Sequence, residues 1–84
     1  MQKREINAIG SDNTLLLVDD DEPFLRRLAK AMEKRGFSVD TAPSVAAGRA
    51  ISKVKPPAYA IVDLRLEDGN GLDVVEVLRK TRPD

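Results

Sequence analysis

Cysteine and histidine are both absent from the 84 residues. Without cysteine there are no disulfides, no thiolate metal sites and no thiol nucleophile. Without histidine the usual general base is missing, and so is any phosphohistidine. Charge of one sign is lacking too, since 14 basic and 14 acidic side chains leave a formal net charge of zero. That balance gives no electrostatic reason to expect this stretch to bind nucleic acid or a membrane. No long apolar run follows the charged opening Met1-Gln2-Lys3-Arg4-Glu5. It reads as neither a secretory signal nor a membrane anchor, and a cytoplasmic location is the expectation. There are no repeats and no low-complexity segments. The few aromatics, Phe24, Phe37 and Tyr59, read as core or edge packing. Domains usually run to about 100–150 residues, so the chain holds one at most, and a complete doubly wound sheet normally needs more chain.

What is present is a pair of short apolar runs, each ending in aspartate: Leu15-Leu16-Leu17-Val18-Asp19-Asp20 and Tyr59-Ala60-Ile61-Val62-Asp63. Runs too short for helices and rich in Val, Ile and Leu read as strands buried on both faces of a parallel sheet. Parallel strands would bring the three carboxylates to one edge, the carboxyl edge where open α/β sheets bind ligands. Carboxylates that close repel one another unless a cation sits among them, so the arrangement predicts a divalent metal site.

Residues 1–13 read as a flexible lead-in, with a turn cluster at Gly10-Ser11-Asp12-Asn13. Strand one covers about Leu15 to Asp19. Asp21, Glu22 and Pro23 mark a helix N-terminus, and these acids read as helix-end charges rather than ligands. That helix carries Phe24, Leu25, Leu28, Ala29 and Met32 on one face and ends at Gly36 as a C′ residue. Arg26, Arg27, Lys30, Lys34 and Arg35 make a solvated face rather than a nucleic-acid surface. Phe37-Ser38-Val39-Asp40-Thr41 alternates as an edge strand would. Ser44 is placed to cap a second helix with Val45, Ala46, Ala50, Ile51 and Val54 as its apolar face, weakened by Gly48 and stopped by Pro56-Pro57. After strand three, Arg65 to Gly71 reads as a polar loop. A third helix offers Leu72, Val74, Val75 and Leu78 to the sheet. The order is βαβαβα, and right-handed crossovers put strand one in the middle, flanked by strands two and three.

Val18-Asp19-Asp20 after a first strand, a lone Asp63 ending a third, Gly71 eight residues further on and the βαβαβα order together resemble a response-regulator receiver domain of two-component systems. The resemblance runs from about Thr14 to the end of the chain. The wording of Leu15 to Leu28 and of Val62 to Val75 is similar to one subgroup, the RegA/PrrA/ActR-type redox and photosynthesis regulators. It implies a flavodoxin-like (CheY-like) doubly wound parallel sheet, present here as three βα units in strand order 2-1-3. Residues 14–84 would be the amino-terminal part of that domain.

The resemblance implies roles residue by residue. Asp63 would be the phosphoacceptor, attacking a phosphoryl group held on the histidine of a sensor kinase. Asp20 directly, Asp19 partly through water, Asp63 and the backbone carbonyl of Arg65 would hold Mg²⁺. That ion prefers hard oxygen ligands and is usually bound by one or two carboxylates plus phosphate. Phosphoryl transfer needs positioning and charge neutralisation more than covalent help from the protein. Gly71 would let the loop backbone turn tightly beside the site. Many receivers have proline four residues after the phosphoacceptor, and this chain has Glu67 instead, which is expected to loosen the loop without abolishing phosphorylation.

Receivers also have a fourth strand ending in Ser or Thr and a fifth ending near a lysine. The sequence stops where the fourth strand would begin. Lys53, Lys55 and Lys80 do not occupy the family position. The expectation is therefore an incomplete receiver that by itself takes up phosphate poorly, with DNA reached only through an output region outside the chain. The unpaired third strand would favour self-association, as a homo-oligomer or strand-exchanged dimer. Two alternative functions stay open: an Mg²⁺-dependent phosphatase of haloacid-dehalogenase type, and a fragment that acts only through self-association at its sheet edge. A haloacid-dehalogenase-like phosphatase wants Asp-x-Asp-x-Thr/Val after strand one; Asp19 and Asp21 fit the first part, but Pro23 stands where the Thr or Val should be. A calcium loop from Asp68 fails because Asp73 takes the required glycine position and Arg79 that of the closing glutamate.

Overall fold

The computed structural model describes residues 12–81. The expected lead-in therefore lies outside the described residues, except for Asp12 and Asn13. Asp12 accepts from the Thr14 amide and hydroxyl at 3.2 and 2.7 Å, and Asn13 Nδ2 donates to the Gly36 carbonyl at 2.6 Å. The elements are β1 (Thr14–Val18), α1 (Glu22–Lys34), β2 (Ser38–Ala42), α2 (Val45–Val54), β3 (Tyr59–Val62), β4 (Arg65–Leu66), β5 (Gly69–Asn70) and α3 (Leu72–Thr81). The main sheet is parallel in the order β2-β1-β3, with Leu16 opposite Asp40 on one side and Ala60 on the other.

The two crossovers run in opposite directions across the sheet, from β1 to β2 and then from β2 past β1 to β3, so right-handedness sends α1 and α2 to opposite faces. The pleat of β1 serves both. Leu15 and Leu17 pack with Leu25, Leu28 and Met32 of α1, whereas Leu16 and Val18 pack with Val45 of α2 and Val74 of α3. Four consecutive residues, Leu15 to Val18, are at most 2% exposed, and each leucine so buried contributes about 1.5–3 kcal/mol.

Capping fixes where the helices begin and end. Asp21 is the N-cap of α1 and accepts from the Phe24 amide at 3.1 Å. At its other end Gly36 has φ 99°. The Gly36 amide reaches the Glu33 carbonyl and the Phe37 amide reaches that of Met32, the two bonds of a Schellman motif that only glycine enters without strain. Ser44 caps α2 through the Ala47 amide at 3.1 Å.

Four expectations are corrected. β3 is not buried on both faces: Tyr59 and Ile61 are 40% and 46% exposed, because β3 pairs only with β1 among the described strands and a cleft separates Ile61 from α1. The buried face of α2 is Val45, Gly48 and Ser52, while Val54 is 86% exposed. At about 100° per residue, positions 45, 48 and 52 share a narrow arc and position 54 faces away. Leu72 is half exposed for the same reason, being about 200° round from the buried Val74. The stretch expected as a polar loop contains a hairpin, β4 against β5, with Arg65 opposite Asn70 and Leu66 opposite Gly69. Leu66 is buried in the core beneath α2 and α3, which ties the hairpin down.

Candidate functional site

Asp19 and Asp63 stand one residue beyond the ends of β1 and β3, and their amides extend the ladder. Asp19 N donates to the Ala42 carbonyl at 3.1 Å and Asp63 N to the Val18 carbonyl at 2.8 Å. Because β1 and β3 are parallel and in register, both carboxylates emerge at the same edge, joined by Asp20. One carboxylate oxygen from each of Asp19, Asp20 and Asp63 lies within 4.8 Å of the other two, and all three residues are half-buried. Among the described residues this is the one acidic cluster with metal-ligand spacing. The donors are all hard carboxylate oxygens, which suits Mg²⁺ and not a soft metal.

Each carboxylate is also held by a backbone amide. Asp19 Oδ1 accepts from Asp21 N at 2.9 Å, Asp63 Oδ1 from Arg65 N at 3.0 Å and Asp20 Oδ2 from Glu67 N at 3.2 Å. The first two are turns that an aspartate closes on its own backbone two residues on. The third joins residues 47 apart in sequence. Arg65, expected to offer its carbonyl, thus has its amide on the phosphoacceptor candidate, with its backbone at the rim of the cluster.

Gly71 is needed beside the site for lack of room, not for a left-handed backbone, since its φ is not positive. A Cβ there would overlap the Asp63 carbonyl oxygen and come within 2.8 Å of Val62 Cγ1. Its amide donates to the Leu64 carbonyl at 3.2 Å, and its carbonyl accepts from the Val74 and Val75 amides in the first turn of α3. The helix can therefore start directly against the strand end that carries Asp63.

Beside Asp19 and Asp63 a cleft of about 320 Å³ opens between α1 and β3, walled by Phe24, Leu25, Leu28 and Ile61. Phe24, read as core or edge packing, is 39% exposed at this wall.

Asp68, which fails as the start of a calcium loop, has a structural role instead. Its two carboxylate oxygens accept from the amides of Val45 at 2.8 Å and Ala46 at 3.1 Å, so the β4–β5 turn caps α2 from outside. These two amides hold the Asp68 carboxyl below its ordinary value of 3.8. Nothing local in the polar stretch Arg65 to Gly71 could indicate a partner 23 residues earlier.

Comparison with known proteins gives a consistent picture. A family profile described as a response regulator receiver domain matches residues 15–84. The chain is 76% identical over 76 residues to the photosynthetic apparatus regulatory protein RegA of Cereibacter sphaeroides, covering 90% of this chain and 41% of that protein. It is 58% identical over 80 residues to the acid tolerance regulatory protein ActR of Rhizobium meliloti, covering 95% of this chain and 41% of that one. The chain thus spans less than half the length of these curated relatives. Among solved structures it resembles a CheY-like response regulator receiver domain protein from Methanospirillum hungatei, with a TM-score of 0.80 at 30% identity over 87% of this chain and 58% of that one.

Proposed function

The chain belongs to the response regulator receiver family, of the RegA/ActR type, and from that premise we propose that it accepts a phosphoryl group on Asp63 from the phosphohistidine of a sensor kinase. As a receiver it is a regulatory module and not an enzyme in its own right. The observation that carries the reading is the convergence of Asp19, Asp20 and Asp63 within 4.8 Å at the carboxyl edge of a parallel sheet.

In this reading an Asp63 carboxylate oxygen attacks phosphorus, the P–N bond to the kinase imidazole breaks, and that bond's electron pair stays on the ring nitrogen. The product is an acyl phosphate. The Arg65 amide on Asp63 Oδ1 holds the carboxylate in one rotamer for in-line attack. Asp19, Asp20, Asp63 and the backbone carbonyl of Arg65 would hold Mg²⁺, which when bound offsets the repulsion between the acidic cluster and the incoming phosphate. Regulation of transcription, with DNA contacted through an output region as the names of the relatives suggest, belongs to the same reading, as does a cytoplasmic site of action. No helix among the described residues is long and apolar enough to cross a membrane.

Incubation of the intact protein with acetyl phosphate and Mg²⁺ tests the assignment. The wild type should gain one phosphoryl group, located on Asp63 by peptide mass spectrometry, and Asp63→Asn should gain none. Labelling of Asp19 would point to the phosphatase-type chemistry, and undiminished labelling of Asp63→Asn would reject the role of Asp63.

A further inference from the structure

The two residues at the tip of the β4–β5 hairpin reach in different directions. Glu67 donates its amide to Asp20 Oδ2 at 3.2 Å. Asp68, next in the chain, takes the amides of Val45 and Ala46 at the start of α2. The hairpin is short, two residues per strand, and it is closed by Gly69 at φ 152°, a conformation that a side chain would strain. Such a turn has little freedom to move one tip residue without the other. Leu66, buried beneath α2, fixes the base.

We propose that this turn is a clasp that positions Asp20: Asp68 anchors it to the amino end of α2, and the anchored Glu67 amide fixes the Asp20 carboxylate for the metal. The proposal rests on the reading of Asp20 as an Mg²⁺ ligand. Outer hydrogen bonds to a ligating carboxylate set its rotamer and leave the second oxygen aimed at the ion. Asp19 and Asp63 receive that service from amides two residues away, within their own turns. Asp20 alone takes it from another part of the chain, so its orientation depends on where the hairpin sits. The contact requires an N–H at position 67, which glutamate has and proline does not. Asp68 is a positioning residue in this scheme and touches no reacting atom.

Three measurements on the intact protein test the clasp. In the first, Mg²⁺ affinity is taken by calorimetry for Glu67→Pro against Glu67→Ala, which keeps the amide. Glu67→Pro should bind about tenfold more weakly, the size of effect that loss of an outer-shell partner produces. Equal affinity, or tighter binding by the proline variant, overturns the proposal. In the second, amide hydrogen exchange without metal is followed in Asp68→Ala. Exchange should accelerate at Val45 and Ala46 and also at Glu67, and faster exchange at the first two alone would break the link between anchor and clasp. In the third, acetyl phosphate labelling is titrated with Mg²⁺. Asp68→Ala should raise the half-saturating concentration and leave the maximal extent near that of the wild type. If the wild type labels on Asp63 while the affinities of the proline and alanine variants coincide, the clasp fails and the receiver reading stands. If the wild type binds no Mg²⁺, both fall.

Discussion

At the scale of single residues, the site depends as much on an absent atom as on its carboxylates. Gly71 lies where any Cβ would overlap the Asp63 carbonyl oxygen and crowd Val62. Both obstacles are hard to move, one being backbone and the other a β-branched side chain with few rotamers. Gly71→Ala should therefore push α3 off the strand end or displace Asp63. The expected outcome is a loss of about 1–3 kcal/mol in urea unfolding, typical of overpacking, together with slower phosphate uptake on Asp63. A stability equal to wild type would mean that α3 can shift freely, contrary to the contacts that Val74 makes in the core. Gly48 shows a related pressure that the sequence disguised. It reads as a helix weakener, yet a Cβ there would sit 3.1 Å from Val74 Cγ2 and 3.2 Å from Val18 Cγ2. Its smallness lets α2 approach the sheet and α3 together. What could be read from the chain was therefore the chemistry of residues that act through their own side chains, Asp19, Asp20 and Asp63 above all. Their meeting follows from two parallel strands in register. Glycines that act by leaving room, and the Glu67 amide that any residue but proline would offer, have no comparable signature.

At the scale of elements, caps and termini were legible because their rules are local. Asp21, Ser44 and Gly36 each act on backbone within three or four residues, and each stands where the sequence placed it. The buried face of α2 follows helical angle and not apolar character: Ser52 is buried with its hydroxyl donated to the Gly48 carbonyl at 2.8 Å, while Val54 faces solvent. The β4–β5 hairpin leaves no mark in the sequence, because two-residue strands carry no periodicity. Its contribution can be read through pH. Asp68 is held below its ordinary value by the Val45 and Ala46 amides, so the folded state prefers its ionised form. The stabilisation is fully present above the unfolded value near 3.8 and is lost as pH falls through the depressed folded value. Asp68→Asn should consequently lower the urea midpoint at pH 7, and the difference from wild type should shrink once pH drops below about 4. A difference that stays constant down to pH 3 would show that the charge on Asp68 is not what ties the turn to α2.

At the scale of the whole molecule, the sheet is covered unevenly. Both faces of β1 are closed by helices, but β3 pairs only with β1 among the described strands and exposes Ile61 and Tyr59 on its flanks. A strand with the composition of a buried one in an edge position is a template for another chain, and it lacks the inward charge or proline with which edges are usually protected. The 84-residue chain by itself should associate as its concentration rises, through this strand. Ile61→Lys places a charge on the edge at a side chain already 46% exposed, so its cost to the core is small while its effect on pairing is direct. Light scattering over a concentration series should show the apparent mass of the wild-type chain climbing and that of Ile61→Lys staying near one chain. A wild type that remains a cooperatively unfolding monomer at high concentration would show that β3 is protected by something other than sequence. The same edge adjoins the acidic site, because Asp63 continues β3. Any strand or helix that covers Ile61 therefore reaches the wall of the cleft beside Asp63, and if Asp63 is the phosphoacceptor as proposed, association at this edge should slow acetyl phosphate labelling in the wild-type chain but not in Ile61→Lys.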